Sequence, residues 1–419
     1  MKIWVIKIGE PLPIDGVNKR LHRSGMLTEF LKEYGHQVTW WSSTYNHAEK
    51  YNRFNKDTTI DIGSCKLMLL HGKGYKTNVS ISRIINHVII ACKFYRHALK
   101  EEPPDIILCA MPTMGLSYAA TLYGKKHRVP VVLDIRDLWP DIFVDIAPEW
   151  GRGLVRIFLT PLFWVIKKAC QNATAITGIT PNFVIWAINY ANRKISDKDK
   201  DFPLGYKEKI PDKKEIIKAG EFWKKHKIIM EKNEFIVCFV GSMGKHIQEL
   251  DTVIEAARIL ETMGYLRIKF VLCGTGDNYE YFKEMAIGCQ NVLFPGWVDA
   301  PEIWTLMRIS VLGIIPYKSR QDFMASIPNK VIEYMSAGLP VISSIRGALE
   351  ELLNENKCGI TYPNGNAEEL ASVLLSLYKN PDRLKEMANN SYQLYKNQFV
   401  AEKVYKDMIE YLQSISRNN

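Results

Sequence analysis

Lys330 and Glu333 are the residues whose types and spacing point most directly to chemistry. They lie three apart near the start of a helix that Pro328 is predicted to begin, so their side chains share one helical face. A carboxylate on that face can accept hydrogen bonds from two ribose hydroxyls while the ammonium meets a phosphate, with Asn329 beside them. A surface ion pair is the alternative, and the spacing alone favours that alternative.

Three glycine-containing loops, each directly after a predicted strand, are candidates for phosphate binding: 9–18, 241–245 and 274–276. Glycine lets backbone N–H groups close on an anion, and the dipole of a following helix favours negative charge. A tight turn explains any one loop equally well. None completes G-x-G-x-x-G with a downstream ribose acid, or a P-loop, which disfavours a dehydrogenase or an NTPase. The loop residues that we expect at a bound nucleotide are Gly16, Gly241, Ser242, Gly244 and Gly274.

The elements that must position these residues alternate strand and helix in two successive stretches. Parallel sheets covered by helices have this pattern, and ligands bind at the carboxyl ends of their strands. Helices are predicted at 19–34 and 328–337. Strands are predicted at 2–8, 38–43, 105–110, 129–135 and 173–180, and again at 235–240, 268–273, 292–295, 311–315 and 340–344. The sequence thus predicts an α/β fold with two doubly wound parallel-sheet units in series.

The stretch 193–232 breaks the alternation and is rich in lysine. Its Asp197, Asp199 and Asp201 resemble a metal-binding string, but the interleaved lysines favour a solvated insertion. We therefore predict a junction between one domain at 1–205 and a second at 206–395. A terminal helix at about 396–419 is expected to pack back on the first domain.

The composition indicates a globular protein with anionic partners. The 419 residues exceed what one core usually organises, 47% of them are apolar, and the net charge is +10. The eight cysteines lack metal-ligand spacing and no signal peptide is recognisable, so we expect a reducing cytoplasm. No apolar run reaches the roughly 20 residues that cross a bilayer.

The segment 152–168 is a candidate for binding a membrane surface. Thr160 is predicted to cap a helix that Pro161 begins, and the apolar block 162–166 is bounded by basic residues. The block is too short to span a bilayer, but it suits the interface, with its cations toward anionic head groups. Packing in the core of the first domain is the alternative.

The segment 326–342 resembles the donor-binding helix of retaining glycosyltransferases of family four, which have the GT-B fold. Matches at 35–39, at the loop from Gly241, at 294–298, at 350–352 and at 359–363 extend the similarity to essentially the whole chain. The segments 10–13, 40–44 and 134–141 are similar to bacterial enzymes of polysaccharide assembly, including O-antigen and capsule transferases of N-acetylated deoxysugars. This resemblance implies two Rossmann-like domains facing across a cleft, with a nucleotide-sugar donor bound by the second.

The resemblance also implies a mechanism and roles for particular residues. Transfer is expected to retain the anomeric configuration without a divalent metal or another cofactor. Lys245 and Lys330 would stabilise the departing diphosphate, Glu333 would hold the ribose, and Asp137 would orient the acceptor hydroxyl, unless Asp137 is only a structural partner of Arg136. The residues expected on the acceptor side are Arg20, Arg23, His47 and Arg136. The predicted partners are a nucleotide-sugar donor of the UDP class, a lipid-diphosphate-linked saccharide and the inner face of the cell membrane, and no nucleic acid is expected.

Three positions depart from the family pattern. The family carries arginine where this chain has Ser242, lysine at Gln248, and a first glutamate at Ala325. We expect Lys245 and Lys330 to supply the missing positive charge. Two other classes stay open: a sugar-nucleotide epimerase of the same fold, and a non-catalytic basic protein that binds nucleic acid or membrane.

Overall fold

The computed structural model describes residues 1–16, 20–78, 80–228, 234–244 and 247–417. The chain divides into two compact units, the first formed by 1–205 with 401–419 and the second by 206–400. Each unit is an α/β domain built on its own sheet. We describe the two units separately.

The first unit is built on a sheet with the strand order β10-β9-β8-β7-β1-β2-β6-β5 in the described residues, parallel except for the pair β5 and β6. Its strands are β1 (Lys2–Ile6), β2 (Gln37–Ser43), β5 (Thr58–Ile62), β6 (Cys65–Leu70), β7 (Ile106–Ala110), β8 (Val131–Ile135), β9 (Ala175–Gly178) and β10 (Lys200–Asp201), and a small separate pair is β3 (Tyr45–Asn46) with β4 (Tyr51–Asn52). Its helices are α1 (Arg23–Glu33), α2 (Ile81–Ala98), α3 (Met114–His127), α4 (Asp141–Asp145), α5 (Arg152–Phe158), α6 (Thr160–Asn172) and α7 (Pro181–Ala191).

Strands β7 and β8 are buried at every residue, as expected for parallel strands covered by helices on both faces. Their carboxyl ends therefore open onto one edge of the sheet, where loops carry the polar side chains. The predicted strands of this unit are present, with ends that differ from the prediction by one or two residues.

The second unit has a parallel sheet with the order β13-β12-β11-β14-β15-β16. The strands are β11 (Phe235–Val240), β12 (Ile268–Cys273), β13 (Val292–Gly296), β14 (Leu312–Ile315), β15 (Val341–Ser343) and β16 (Gly359–Thr361). The helices are α8 (Lys213–Lys225), α9 (Leu250–Thr262), α10 (Tyr279–Met285), α11 (Ala300–Ile309), α12 (Gln321–Met324), α13 (Asn329–Ser336), α14 (Ala348–Glu355), α15 (Ala367–Lys379) and α16 (Pro381–Leu394).

The end of the chain contains a break that the sequence did not predict. A π-helical turn at Tyr395–Phe399 and the extended residue Val400 separate α16 from the last helix, α17 (Ala401–Arg417). Helix α17 belongs to the first unit, where the ring of Tyr405 stacks on Phe30 with 5.3 Å between centroids. The last helix thus begins at Ala401 rather than at about residue 396 as predicted.

Two local predictions are wrong. The stretch 193–232 is not merely a solvated insertion, because Asp199 is buried, pairs with Arg193 and accepts a hydrogen bond from Ser196 Oγ, and because α8 packs on α11. Thr160 does not cap α6: Leu159 occupies the cap position, and the Thr160 hydroxyl donates to the Arg156 carbonyl instead. A threonine that continues a helical turn bonds to the preceding backbone rather than to the next N–H groups.

Candidate functional site

Two glycine loops of the second unit run side by side at the carboxyl ends of β11 and β12. The N–H of Gly241 donates to the carbonyl of Cys273 at 2.9 Å, and that of Met243 donates to Thr275 at 2.9 Å. The N–H of Gly274 donates to the carbonyl of Gly296, the last residue of β13, at 2.8 Å. The two glycine loops 241–245 and 274–276 therefore meet, in their described residues, as one backbone assembly at the carboxyl edge of the sheet, the edge where open α/β sheets generally bind ligands.

Close approach of backbone explains why Gly274 is glycine. It has a φ of +135°, and a Cβ built there would lie 1.7 Å from the carbonyl oxygen of Gly241. An L side chain could occupy neither that conformation nor that space. The glycine is thus required for the two loops to meet, whatever they bind.

Lys330 is brought directly to the first of these loops by α13. A Cβ on Gly241 would lie 1.9 Å from Lys330 Nζ, so the ammonium occupies the space that the missing side chain leaves. The same nitrogen donates a 2.9 Å hydrogen bond to Tyr317 Oη and lies 5.1 Å from the ring centroid of Phe239. Aromatic faces and a phenol hold the cation without neutralising it, which keeps its charge available to an anion.

Tyr334 fixes the position of α13 against the end of strand β11. This buried phenol accepts a 3.1 Å hydrogen bond from the N–H of Val240, at the end of β11. Helix α13 begins at Asn329, which is exposed, and carries the half-buried Glu333 one turn further on. The structure thus brings Lys330 together with Gly241 and puts Asn329 and Glu333 on the same short helix.

Gln248, at the position where the resembled family has lysine, stabilises the glycine loop that starts at Gly241. Its side chain is buried, and its Oε1 accepts a hydrogen bond from the N–H of Gly244 at 3.1 Å. Its backbone also forms an isolated bridge with Tyr317, the partner of Lys330. Gln248 therefore holds the loop from its buried side. Ser242 is exposed on this loop, and Lys245 lies outside the described residues.

Arg23 and Arg136 of the first unit converge on one buried carboxylate. Arg23 Nε lies 3.0 Å from Asp134 Oδ2, and Arg136 Nε lies 2.6 Å from the same atom. Burial raises the pKa of Asp134, but the two guanidinium groups outweigh burial and hold that pKa well below its ordinary value. Arg136 also pairs with Glu10, whose carboxylate accepts from the N–H of Ser24. This network favours a structural role for both arginines over direct contact with an acceptor.

The remaining predicted residues of the first unit are dispersed among its loops. Gly16 has a φ of +117°, and no atom in the described part of the chain would lie within 4 Å of a Cβ built there. Arg20 is exposed, and His47 Nδ1 lies 2.7 Å from Tyr75 Oη. Asp137 follows β8 and accepts from the N–H of Leu138 at 2.9 Å. Gly16 belongs to the first unit, whereas the other residues predicted at the donor belong to the second.

The second unit matches a known family, described as "Glycosyl transferases group 1", over residues 221–394. In sequence the chain is 33% identical over 132 residues to the amylovoran biosynthesis glycosyltransferase AmsK of Erwinia amylovora, covering 30% of this chain and 32% of that protein. The chain thus spans about a third of the length of that relative.

Solved structures resemble the chain over its full length. Sucrose-phosphate synthase from Thermosynechococcus elongatus superposes with a TM-score of 0.69 at 17% identity, covering 100% of both chains. HepE of Anabaena, solved in complex with UDP, gives a TM-score of 0.66 at 15% identity over 99% of both chains. The chain therefore shares the fold of these proteins, two α/β parallel-sheet domains of the GT-B type, and residues 221–394 match the group 1 glycosyltransferase family.

Proposed function

We propose that the protein is a retaining glycosyltransferase that moves a sugar from a UDP-sugar to a lipid-diphosphate-linked saccharide in surface polysaccharide synthesis. The observation that carries the proposal is the contact of Lys330 Nζ with Gly241, inside a domain that matches group 1 glycosyltransferases. The complex of HepE with UDP supports a UDP-linked donor, and the resemblance to AmsK supports a role in polysaccharide synthesis.

The chemical problem in such a transfer is the charge of the leaving group. As the glycosidic bond breaks, negative charge grows on the diphosphate and the sugar becomes oxocarbenium-like. Lys330 is held in place before the reaction by its hydrogen bond to Tyr317, so its ammonium stabilises this charge without reorganising. We assign the ribose to Glu333, the sugar or acceptor hydroxyl to Asp137, and a second phosphate charge to Lys245. No divalent metal is needed in this scheme.

An exposed apolar surface on the first unit supports contact with a membrane. Trp150, just before α5, is 86% exposed, and Ile157 and Phe158 on α5 are 70% and 82% exposed. Leu154 is a further exposed apolar residue of α5. Apolar groups of this size rarely cluster on a free surface. No helix within the described ranges is long and apolar enough to cross a bilayer. The surface is therefore suited to lie in an interface rather than to span it.

The charges around this apolar surface favour an anionic membrane. Between residues 146 and 170 the basic side chains are Arg152, Arg156, Lys167 and Lys168, against the single acid Glu149. Arg152, Arg156 and Lys167 are exposed. Within the predicted block 162–166, Ile166 is buried and Trp164 is half exposed, so the block is split between the core and the surface. The preceding helix α5 contributes the larger apolar face.

Product analysis separates this function from an epimerase. Purified protein is incubated with UDP-sugar carrying label in the sugar, with and without a membrane extract that holds lipid-linked saccharides. The proposal expects UDP release and label in the lipid fraction only when the extract is present. An epimerase would convert the labelled donor into its epimer in both reactions, and a binding protein would leave the donor unchanged in both.

A further inference from the structure

A group of basic and aromatic side chains gathers at the carboxyl edge of the sheet of the first unit. Lys7 follows β1, His47 follows β3, Tyr75 lies in the loop after β6, and Trp139 lies in the loop after β8. Helix α2 contributes the last members, Arg83 and His87. We call these six residues the basic-aromatic cluster.

Arg83 lies between two rings of this cluster. Its Cζ is 4.5 Å from the ring centroid of Trp139 and 5.5 Å from that of Tyr75. One edge of the guanidinium donates to the carbonyl of Asn78 at 2.6 Å. The Tyr75 hydroxyl is a second hydrogen-bond partner of the guanidinium, whereas the Nε atom is buried and has no partner within the part of the chain that the structure describes. A buried N–H donor on a cation is costly to leave unpaired, which points to an acceptor that a ligand would supply.

Lys7 adds a second cation, and this one is buried. The residue is 8% exposed, and its Nζ donates to the carbonyl of Met111 at 3.3 Å. Burial, assisted by the charge of Arg136, lowers the pKa of Lys7 to about 8. A lysine kept beside other cations at this cost in free energy is more easily explained by a ligand than by stability.

The two histidines experience the same excess of positive charge. Burial, with Lys50 and Arg83 nearby, lowers the pKa of His47 to about 4. Burial and the charge of Arg83 lower the pKa of His87 to about 3. Neutral imidazoles can each donate one N–H, and the Tyr75 hydroxyl, 2.7 Å from His47 Nδ1, adds a polar group.

Acidic side chains face this cluster from the neighbouring elements and limit its charge. Asp137, Glu10 and Asp134 all act to raise the pKa of Lys7, and Asp137 does the same for Arg83. Asp134 and Glu10 are already paired with Arg136. Burial, with repulsion from neighbouring cations, still lowers the pKa of Lys7, Arg83 and both histidines, and the charge of an added anion would offset this cost.

We propose that the basic-aromatic cluster binds a diphosphate group carried by the acceptor, with Arg83 as its principal contact. The term acceptor rests on the proposed function, but the anion site stands on its own geometry. The diphosphate would accept hydrogen bonds from Arg83 Nε and from Lys7 Nζ, and the ring of Trp139 would support the guanidinium. All residues of this cluster belong to the first unit, whereas those assigned to the donor diphosphate belong to the second.

Calorimetry tests the site with geranyl diphosphate and inorganic pyrophosphate as probes, in saturating UDP so that the donor site is filled. Arg83→Gln should weaken the binding of both probes roughly tenfold or more, the scale for losing a charge-assisted pair. Arg96→Gln is the matched control, since Arg96 is an exposed residue of the same helix, and it should bind like the wild type. Lys7→Met is a second variant, in case Arg83→Gln reduces folding, and it should also weaken both probes.

The outcomes separate the sources of the phosphate and the two proposals. The site would be overturned if Arg83→Gln and Lys7→Met bound the two probes as tightly as the wild type, or if the wild type bound neither probe. If Arg83→Gln reduced binding to phosphatidylglycerol vesicles and left geranyl diphosphate unaffected, the cluster would serve a lipid head group and the acceptor assignment would be wrong. If UDP did not bind but pyrophosphate bound in an Arg83-dependent way, the anion site would stand and the glycosyltransferase proposal would fall.

Discussion

The ammonium of Lys330 donates a 2.9 Å hydrogen bond to the phenolic oxygen of Tyr317. This bond joins a helix residue to the loop after β14 and fixes where the positive charge lies beside Gly241. Tyr317 in turn bridges through its backbone to Gln248, the residue that holds the Gly244 N–H. The position of the cation and the shape of the phosphate loop are therefore coupled through one tyrosine.

Removing the hydroxyl of Tyr317 tests this coupling. We expect Tyr317→Phe to lower kcat about three- to tenfold with a smaller change in KM for the donor, because a displaced cation weakens the transition state most. Glu333→Ala should instead raise KM for the donor with little change in kcat, since a ribose contact is equal in both states. Steady-state kinetics with the donor limiting distinguish the effects of Tyr317→Phe and Glu333→Ala on kcat and KM. Wild-type constants for both variants would remove α13 from the donor site.

Gly241 and Gly274 should respond differently to alanine. At Gly241 the new methyl meets the flexible end of Lys330, so the protein should fold normally and kcat should fall about tenfold as the ammonium moves. At Gly274 the methyl meets backbone at positive φ, which should destabilise the fold by on the order of 2 to 3 kcal/mol. Urea unfolding measures the stability of both variants, and steady-state kinetics measures their kcat. A Gly274→Ala protein as stable as the wild type would contradict the loop geometry.

The low pKa of Lys7 predicts a particular pH dependence of stability. The folded state has a pKa of about 8 and the ordinary value is 10.5, so between these values the unfolded chain binds the extra proton. Stability due to this group therefore rises with pH from about 8 to about 10.5, and the cost is complete below about 8. At pH 7, Lys7→Met should raise the free energy of unfolding, by at most on the order of 3 kcal/mol.

The measurement is urea unfolding of wild type and Lys7→Met at pH 7 and pH 10. The difference between the two proteins should shrink at pH 10, because Lys7 is then largely neutral in the folded protein. The other titrating groups are common to both proteins, so their contributions cancel in the comparison. A Lys7→Met protein that is less stable than the wild type at pH 7 would show that the hydrogen bond to Met111 outweighs the burial of charge.

The apolar surface of α5 should determine binding to vesicles. We expect the wild type to co-sediment with phosphatidylglycerol vesicles at low salt and to be partly released at high salt. Ile157→Ser with Phe158→Ser should abolish most of this binding in a folded protein, because two of the most exposed apolar groups are removed. Ile217→Ser on α8, which is also exposed, is the control. Retained binding by the double variant would reject this surface.

The sequence predicted the parts of the fold that depend on local pattern. The apolar run around 131–135, set in an alternation of strands and helices, indicated a parallel strand, and Pro328 marked the start of α13 within one residue. The roles of Asp199 and Thr160 could not be predicted, because one depends on a partner at Arg193 and the other on where the preceding helix ends. Burial and capping are decided by neighbours that composition does not reveal.

The candidate site was predicted in part. The spacing of Lys330 and Glu333 placed both on α13, but nothing in the sequence joined Lys330 to Tyr317, which lies thirteen residues earlier on another element. Arg83 was missed because an arginine in an amphipathic helix is usually an exposed residue, and only its position between two rings distinguishes it. Lys245 stays a prediction from the loop sequence alone.

The central claim is that Lys330 stabilises the leaving diphosphate, and calorimetric titration of UDP and UDP-glucose into wild type and Lys330→Met tests it most directly. UDP carries the charge that appears only as the bond breaks, so the account predicts that the variant binds UDP at least about tenfold more weakly and UDP-glucose only slightly more weakly. Equal affinity of the two proteins for UDP, in a variant that unfolds like the wild type, would contradict the account.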